Sequence, residues 1–218
     1  MPLKVIPRRD RKLHRLVKKG EARVLKRGES LYSPGDPAVE LFLVRTGSLR
    51  LTQNHGGRDE RVVALAGPWE LAGEEGLHPG TGRRTGARAG EKTQVTVLDG
   101  EGVNRALRTG SKTYGAFLLA KEEELALARA LAGPRRAGGT AEQLASLLLH
   151  LSNRLGRTEE AGGVKIPIRL THQVLAELSG CHRSTATTLI NDWIYDGILQ
   201  QGEGRLRIVS PERLAKPR

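Results

Sequence analysis

One stretch narrows the folds open to this chain more than any other. Leu170 to Leu199 reads LTHQVLAELSGCHRSTATTLINDWIYDGIL. Thr171 is a good N-cap, and Val174, Leu175 and Leu178 then recur at helical spacing until Gly180 stops the run. A second helix is predicted from about Arg183 to Asp196. At 100° per residue, Ala186, Leu189, Ile190, Trp193 and Ile194 fall on one side. Ser184, Thr188 and Asn191 fall on the other, with Arg183 and Thr187 at the shoulder. Two such helices lock through their apolar faces, with the small Ala176 where they cross and Gly180 at the turn. That is a helix-turn-helix. The plainer alternative is an αα-hairpin packed inside a domain. The polar outer face opposes it, and so does the next stretch of chain: ILQQGEGRLRIVS reads as two short strands around Gly-Glu-Gly, a β-wing. Ser210-Pro211-Glu212 then opens a last short helix with Pro at its first position.

The second helix of such a unit enters the DNA major groove with its N-terminal residues against base edges. Arginine holds guanine through two hydrogen bonds, and small hydroxyl residues allow close approach and phosphate contact. Arg183 and the hydroxyl run after it suit that task.

The rest of the chain divides by its grammar. Residues 21–108 carry short apolar runs broken by glycine and proline, with alternation at Leu49/Leu51 and Val95/Val97, which predicts an all-β sandwich or roll. From Lys112 the pattern turns helical. Tyr114, Leu118, Leu125 and Ala128 follow 3/4 spacing, while Phe117, Leu127 and Leu131 form a second apolar strip. A helix apolar on two strips has to bury both; one can cover the roll and the other can pair with a second copy of the chain, the plainer alternative being a helix buried within one chain. GPRRAGG reads as a hinge before TAEQLASLLLHLSNRLG, a helix with Thr140 expected as its cap and Gln143 at the capping-box position. The expected organisation is therefore a basic arm over 1–20, a β-roll over 21–111, a dimerisation helix over 112–133, a hinge over 134–139 and a winged helix-turn-helix over 140–218.

Charge supports an anionic partner. The net charge is +12, and residues 1–27 alone hold eleven Lys/Arg against two acids. That arm reads as a solvated tail, a short amphipathic helix or a non-specific phosphate contact. No apolar run reaches the ~20 residues that cross a bilayer, so no membrane partner is expected. The one cysteine, Cys181, forbids an internal disulfide and any all-cysteine metal site, which leads to the expectation of a cytoplasmic protein without a metal. Cys181 is expected to pack at the helix turn. A cupin-type enzyme would place a His-x-His pair on the roll, but only His55 and His78 occur there, and no nucleophile elbow, Walker loop or zincin helix is present. No catalytic residue is expected. A non-DNA regulatory module, with the roll gating a protein partner, is the remaining alternative.

The order of parts resembles the cyclic-AMP receptor protein/Fnr (CRP/FNR) family of bacterial transcription regulators, and LTHQVLAELSGCHRSTATTLI is its most specific match. The resemblance implies an α+β architecture: an N-terminal cyclic-nucleotide-binding-like jelly roll, a long dimerisation helix and a C-terminal winged helix-turn-helix. It implies a homodimer on near-palindromic double-stranded DNA, acting through RNA polymerase, most often as an activator. Arg183 matches the family's first base-reading arginine. Ser184 stands where Glu is frequent and Thr188 where a second arginine is frequent, so Ser184, Thr187 and Thr188 are expected as weaker base contacts and the family's usual half-site does not carry over. Thr171, His172, Gln173 and Thr185 match phosphate-holding positions. GEEGLHPGTGRRT resembles the phosphate-binding cassette: by that match Glu74 would bond a ribose hydroxyl, and Arg84 would pair with a cyclic phosphate, helped by Thr85 and the backbone N–H groups from Gly73 onward. Against cyclic AMP as the effector, no Ser or Thr occurs between Thr113 and Thr140 to meet the adenine. Another cyclic nucleotide, another ligand, or no ligand remain open.

Overall fold

The computed structural model describes residues 17–55, 59–78, 80–109, 139–160 and 162–217, together with Tyr114, Gly115, Leu118, Lys121, Glu122 and Leu125. The chain divides into two compact units at Glu122/Glu123.

The first unit is the β-roll. Its strands are β1 (Glu21–Leu25), β2 (Ser30–Tyr32), β3 (Glu40–Thr46), β4 (Leu49–His55), β5 (Asp59–Ala66), β6 (Leu71–Ala72), β7 (Gly86–Ala89) and β8 (Thr93–Asp99). They form two four-stranded antiparallel sheets, ordered β1-β8-β3-β6 and β2-β7-β4-β5. One cluster lies between the sheets: Leu25, Phe42, Val44 and Val95 from the first meet Tyr32, Leu49, Ala66, Ala87 and Ala89 from the second. A second cluster covers the outer side of the first sheet. There Leu41, Leu43, Leu71 and Leu98 pack with Val17, Val103 and Leu107. Strand β3 feeds both, which is why LFLV is an unbroken apolar run and not an alternating one. Each such side chain stabilises the fold by ~1.5–3 kcal/mol relative to exposure.

Val103 and Leu107 sit on helix α1 (Gly100–Thr109), an element that the sequence pattern alone did not reveal. Asp99 starts it by accepting a hydrogen bond from the Gly102 amide at 2.8 Å. Between β6 and β7 a single 3-10 turn, Glu74–Leu77, runs against β3 and α1. The packing there is backbone on backbone. A Cβ on Gly100 would collide with the Gly76 carbonyl, and one on Gly76 would lie 2.5 Å from the Glu40 carbonyl oxygen.

The second unit starts with α2 (Gly139–Leu155), which buries Leu144, Leu147, Leu148, Leu151 and Leu155. Gly139, at φ +62°, stands in the left-handed conformation at the start of α2, with Thr140 next to it. Strands β9 (Arg157–Thr158) and β10 (Val164–Lys165) follow, then helices α3 (His172–Ser179) and α4 (Arg183–Tyr195). Strands β11 (Leu199–Gly202) and β12 (Arg205–Ile208) make the wing, and α5 (Pro211–Leu214) closes the chain with Pro in its first turn. The wing pairs onward into a four-stranded sheet ordered β11-β12-β10-β9. The expected α+β class, with roll and winged helix-turn-helix, is therefore what the chain adopts.

Of the expected basic arm, only the end lies among the described residues: Val17–Lys19 are helical, and Val17 is buried in the roll's outer cluster. The hinge expected over 134–139 lies outside them except for Gly139.

Candidate nucleic-acid interface and roll cassette

Local chemistry sets the two-helix unit. The Thr171 hydroxyl accepts from the Val174 amide at 3.2 Å and caps α3. Gly180, at φ +67°, ends α3 in the left-handed conformation that favours glycine, and the next amide, Cys181, donates back to the Ala176 carbonyl at 3.0 Å. Val174, Leu175 and Ala176 of α3 and Ala186, Ile190 and Trp193 of α4 are all buried, and the two helices pack on each other. The small side chains at 176 and 186 let the helices cross closely. Cys181 is half-buried with its sulfur 3.3 Å from the Ser179 hydroxyl.

With that face buried, the other is open. Arg183, Ser184, Thr185, Thr188 and Asn191 are exposed, and Thr187 is half-buried. The first turn of α4 contains no acidic residue, so its amide-rich N-terminus keeps its partial positive charge. Two hydroxyls on this surface are tied to imidazoles. His182 Nδ1 lies 3.0 Å from Ser184 Oγ, and His172 Nδ1 lies 3.0 Å from Thr187 Oγ1. Thr187 also donates to the Arg183 carbonyl at 2.9 Å. Gln173 is exposed and donates to Glu177 at 2.6 Å. Beside the helices, the wing turns through Glu203 and Gly204, both at positive φ. Arg207 binds the Gly162 carbonyl and pairs with Glu159, while Arg205 donates to the Pro167 carbonyl at 3.0 Å.

In the roll, the cassette is built differently from its expected form. Gly73, at φ +80°, opens the turn that carries Glu74 and Glu75. The buried cation is Arg83, not Arg84. Arg83 donates to the Gly73 carbonyl at 2.8 Å and the Glu40 carbonyl at 2.7 Å, and it stacks 4.4 Å from the Tyr32 ring centre. A Cβ at position 73 would lie 2.6 Å from its Nη1, so the glycine makes room for it. Arg84 is exposed, and its backbone amide donates to Glu75 at 3.2 Å. Glu74 is already ion-paired, accepting from the Lys121 ammonium. Thr85 lies beside the Tyr32 phenol. Burial, and then the Glu75 carboxylate, push that phenol up to about 12 against the pull of Arg83. Sequence reasoning missed Arg83 and Lys121. The signal for Arg83 was present in the Arg83-Arg84 pair facing a glycine ten residues back.

On the helical segment after α1, Tyr114, Leu118 and Leu125 are about half exposed, while Phe117 and Ala128 lie outside the described residues. Among the described residues no cluster of three or more His, Cys, Asp or Glu could hold a metal ion. No described helix is long and apolar enough to cross a membrane.

A roll with a phosphate-type cassette in one unit and an open recognition helix with a wing in the other define a DNA-binding regulator. Two family models match: the cyclic nucleotide-binding domain over residues 22–109 and the Crp-like helix-turn-helix domain over 142–216. The cyclic AMP receptor protein of Thermus thermophilus is 28% identical over 86% of this chain and 83% of its own. The CRP-like cAMP-activated global transcriptional regulator of Mycobacterium tuberculosis is 26% identical over 87% of this chain and 84% of its own. Among solved structures, FixK2 from Bradyrhizobium japonicum superposes with a TM-score of 0.68 at 20% identity, covering 89% of this chain and 95% of that one. A CRP/FNR-family transcriptional regulator from Thermus thermophilus does so with a TM-score of 0.62 at 25% identity, covering 91% of this chain and all of that one. The chain belongs to the CRP/FNR family and is a DNA-binding transcription regulator. The relatives it matches are transcription regulators, not enzymes.

Proposed function

We propose that the protein is a homodimeric, sequence-specific regulator acting in the cytoplasm, with α4 in the major groove of a near-palindromic operator. The open, acid-free N-terminal turn of α4 carries this reading. Arg183 reads a base, most simply guanine; Ser184, Thr187 and Thr188 add weaker base contacts; the exposed Gln173 and Thr185 touch phosphates. The helical segment expected over 112–133 joins two copies through the face that carries Tyr114, Leu118 and Leu125. The two copies of α4 then fall about 34 Å apart, one turn of duplex. Activation through RNA polymerase is the sign that family membership favours.

Control by cyclic AMP is the arm the cassette supports least. Glu74, which would meet the ribose, is held by Lys121, and the buried guanidinium is already bonded to two backbone carbonyls. Of the two side chains expected to hold a cyclic nucleotide, Glu74 is engaged by Lys121 and Arg84 is exposed. We therefore propose that DNA binding is independent of cyclic AMP. Selection of sites from random duplex DNA, with and without cyclic AMP, tests both parts. The expected result is one near-palindromic consensus in both pools, with Arg183→Ala costing about 1–3 kcal/mol and relaxing a single base pair. Loss equal on all sequences would make Arg183 a phosphate contact. A consensus seen only with the nucleotide would restore cyclic-AMP control.

A further inference from the structure

Lys121 breaks a line of uncharged residues. Tyr114, Leu118, Lys121, Leu125, Ala128 and Ala132 follow one another at alternating steps of four and three, the heptad spacing of a seam between two helices. Lys121 is the only charged residue on that line. Tyr114, Leu118, Lys121 and Leu125 are all helical, and Tyr114, Leu118 and Leu125 are about half exposed. The lysine is held differently. Its ammonium is ion-paired with the Glu74 carboxylate of the cassette turn, within the same compact unit. The Lys121 side chain is 37% exposed and that of Glu74 25%. A pair so open to water adds little to the stability of one chain. Its place on the line gives it another use.

A parallel heptad seam with two-fold symmetry sets each position against its own copy. Leu118 then meets Leu118, and Leu125 meets Leu125. At position 121 two ammonium groups come together in the middle of the strip, and a lysine on such a seam costs stability. We propose that Glu74 is the counter-charge that lets the helical segment pair with a second copy of the chain: each Glu74 neutralises the Lys121 of its own chain at the seam. Assembly is thereby made conditional on the cassette turn. Any group that draws the Glu74 carboxylate away uncovers two positive charges between the copies. The carboxylate that resemblance gives to a ribose therefore acts here on the dimer, through a cation that the chain itself supplies.

This inference rests on the homodimer joined through residues 112–133, and the test keeps the two apart. Dimer dissociation constants are measured by sedimentation for the wild-type protein, Glu74→Gln, Lys121→Met and the double variant, each at ~0.05 M and ~1 M salt. Glu74→Gln is expected to weaken the dimer about three- to tenfold at the lower salt, the scale of two like charges about 5 Å apart and facing water. The effect should fade at ~1 M salt, where the screening length is ~3 Å. Lys121→Met takes the cation off the seam, so its dimer is at least as tight as wild type, and adding Glu74→Gln to it changes nothing. A Glu74→Gln dimer as tight as wild type overturns the inference. So does an equal loss in the Lys121→Met background, which would make Glu74 a support of the roll and not of the seam. Both of those results leave the dimer itself standing. A wild-type protein that stays monomeric at every concentration overturns both.

Discussion

Tyr32 shows how one buried group ties the roll's stability to pH. It is 7% exposed, stacked on Phe42 with ring centres 5.6 Å apart, and its phenol is pushed up to about 12 by burial and by Glu75. In the unfolded chain the same phenol ionises near ~10. The folded state therefore holds the proton more tightly than the unfolded state. Its contribution to stability is complete below about pH 10 and is lost as pH rises through 12. Urea unfolding of wild type and Tyr32→Phe across pH 8 to 11.5 should show the gap between them shifting by up to about 2 kcal/mol in favour of the variant at the alkaline end. A gap independent of pH would show that the phenol titrates alike in both states. At this scale the sequence was partly legible. Thr171 and Gly180 declared the ends of α3 because capping and left-handed turns are local chemistry. Arg83 was not, because spacing along the chain favours Arg84, and only the fold decides which of two adjacent arginines turns inward over Tyr32.

Elements were legible where their pattern was periodic and faced one way. The two-helix unit, the wing and the closing helix follow from spacing, glycine and proline. Helix α1 escaped because Gly100 and Gly102 open it, although Val103, Ala106 and Leu107 carry the helical spacing that packs it on the sheet. The two-residue strands β9 and β10 are too short to carry a period; β10 pairs with the edge that β12 offers, and β9 pairs with β10. The cap of α3 makes a prediction at this scale. Thr171→Ala leaves the Val174 amide without its side-chain partner. It should lower the stability of the C-terminal unit by about 1 kcal/mol in chemical denaturation of the full chain. A loss well above 2 kcal/mol would mean that Thr171 does more than cap.

For the whole molecule, assembly is the property that base spacing depends on. Leu118 and Leu125 are each about half exposed on an apolar helical stripe. Replacing both by Glu should turn a dimer into a monomer in sedimentation analysis and abolish high-affinity binding to a full palindrome, with half-site affinity unchanged. A variant that still sediments as a dimer would place the interface elsewhere. The sequence announced this stripe through its spacing, but it could not announce the Glu74–Lys121 pair, which joins residues 47 positions apart.

The meeting of Gly76 with Gly100 has a mechanical consequence. Most packed elements touch through side chains, which swing to new rotamers and so soak up small displacements. Here the cassette turn and the first residue of α1 touch with no such cushion. A displacement of the turn therefore meets no side chain that could absorb it before the first residue of α1. Anyone refitting this roll for a new trigger molecule should leave those two positions as they are and redesign the pocket wall around them.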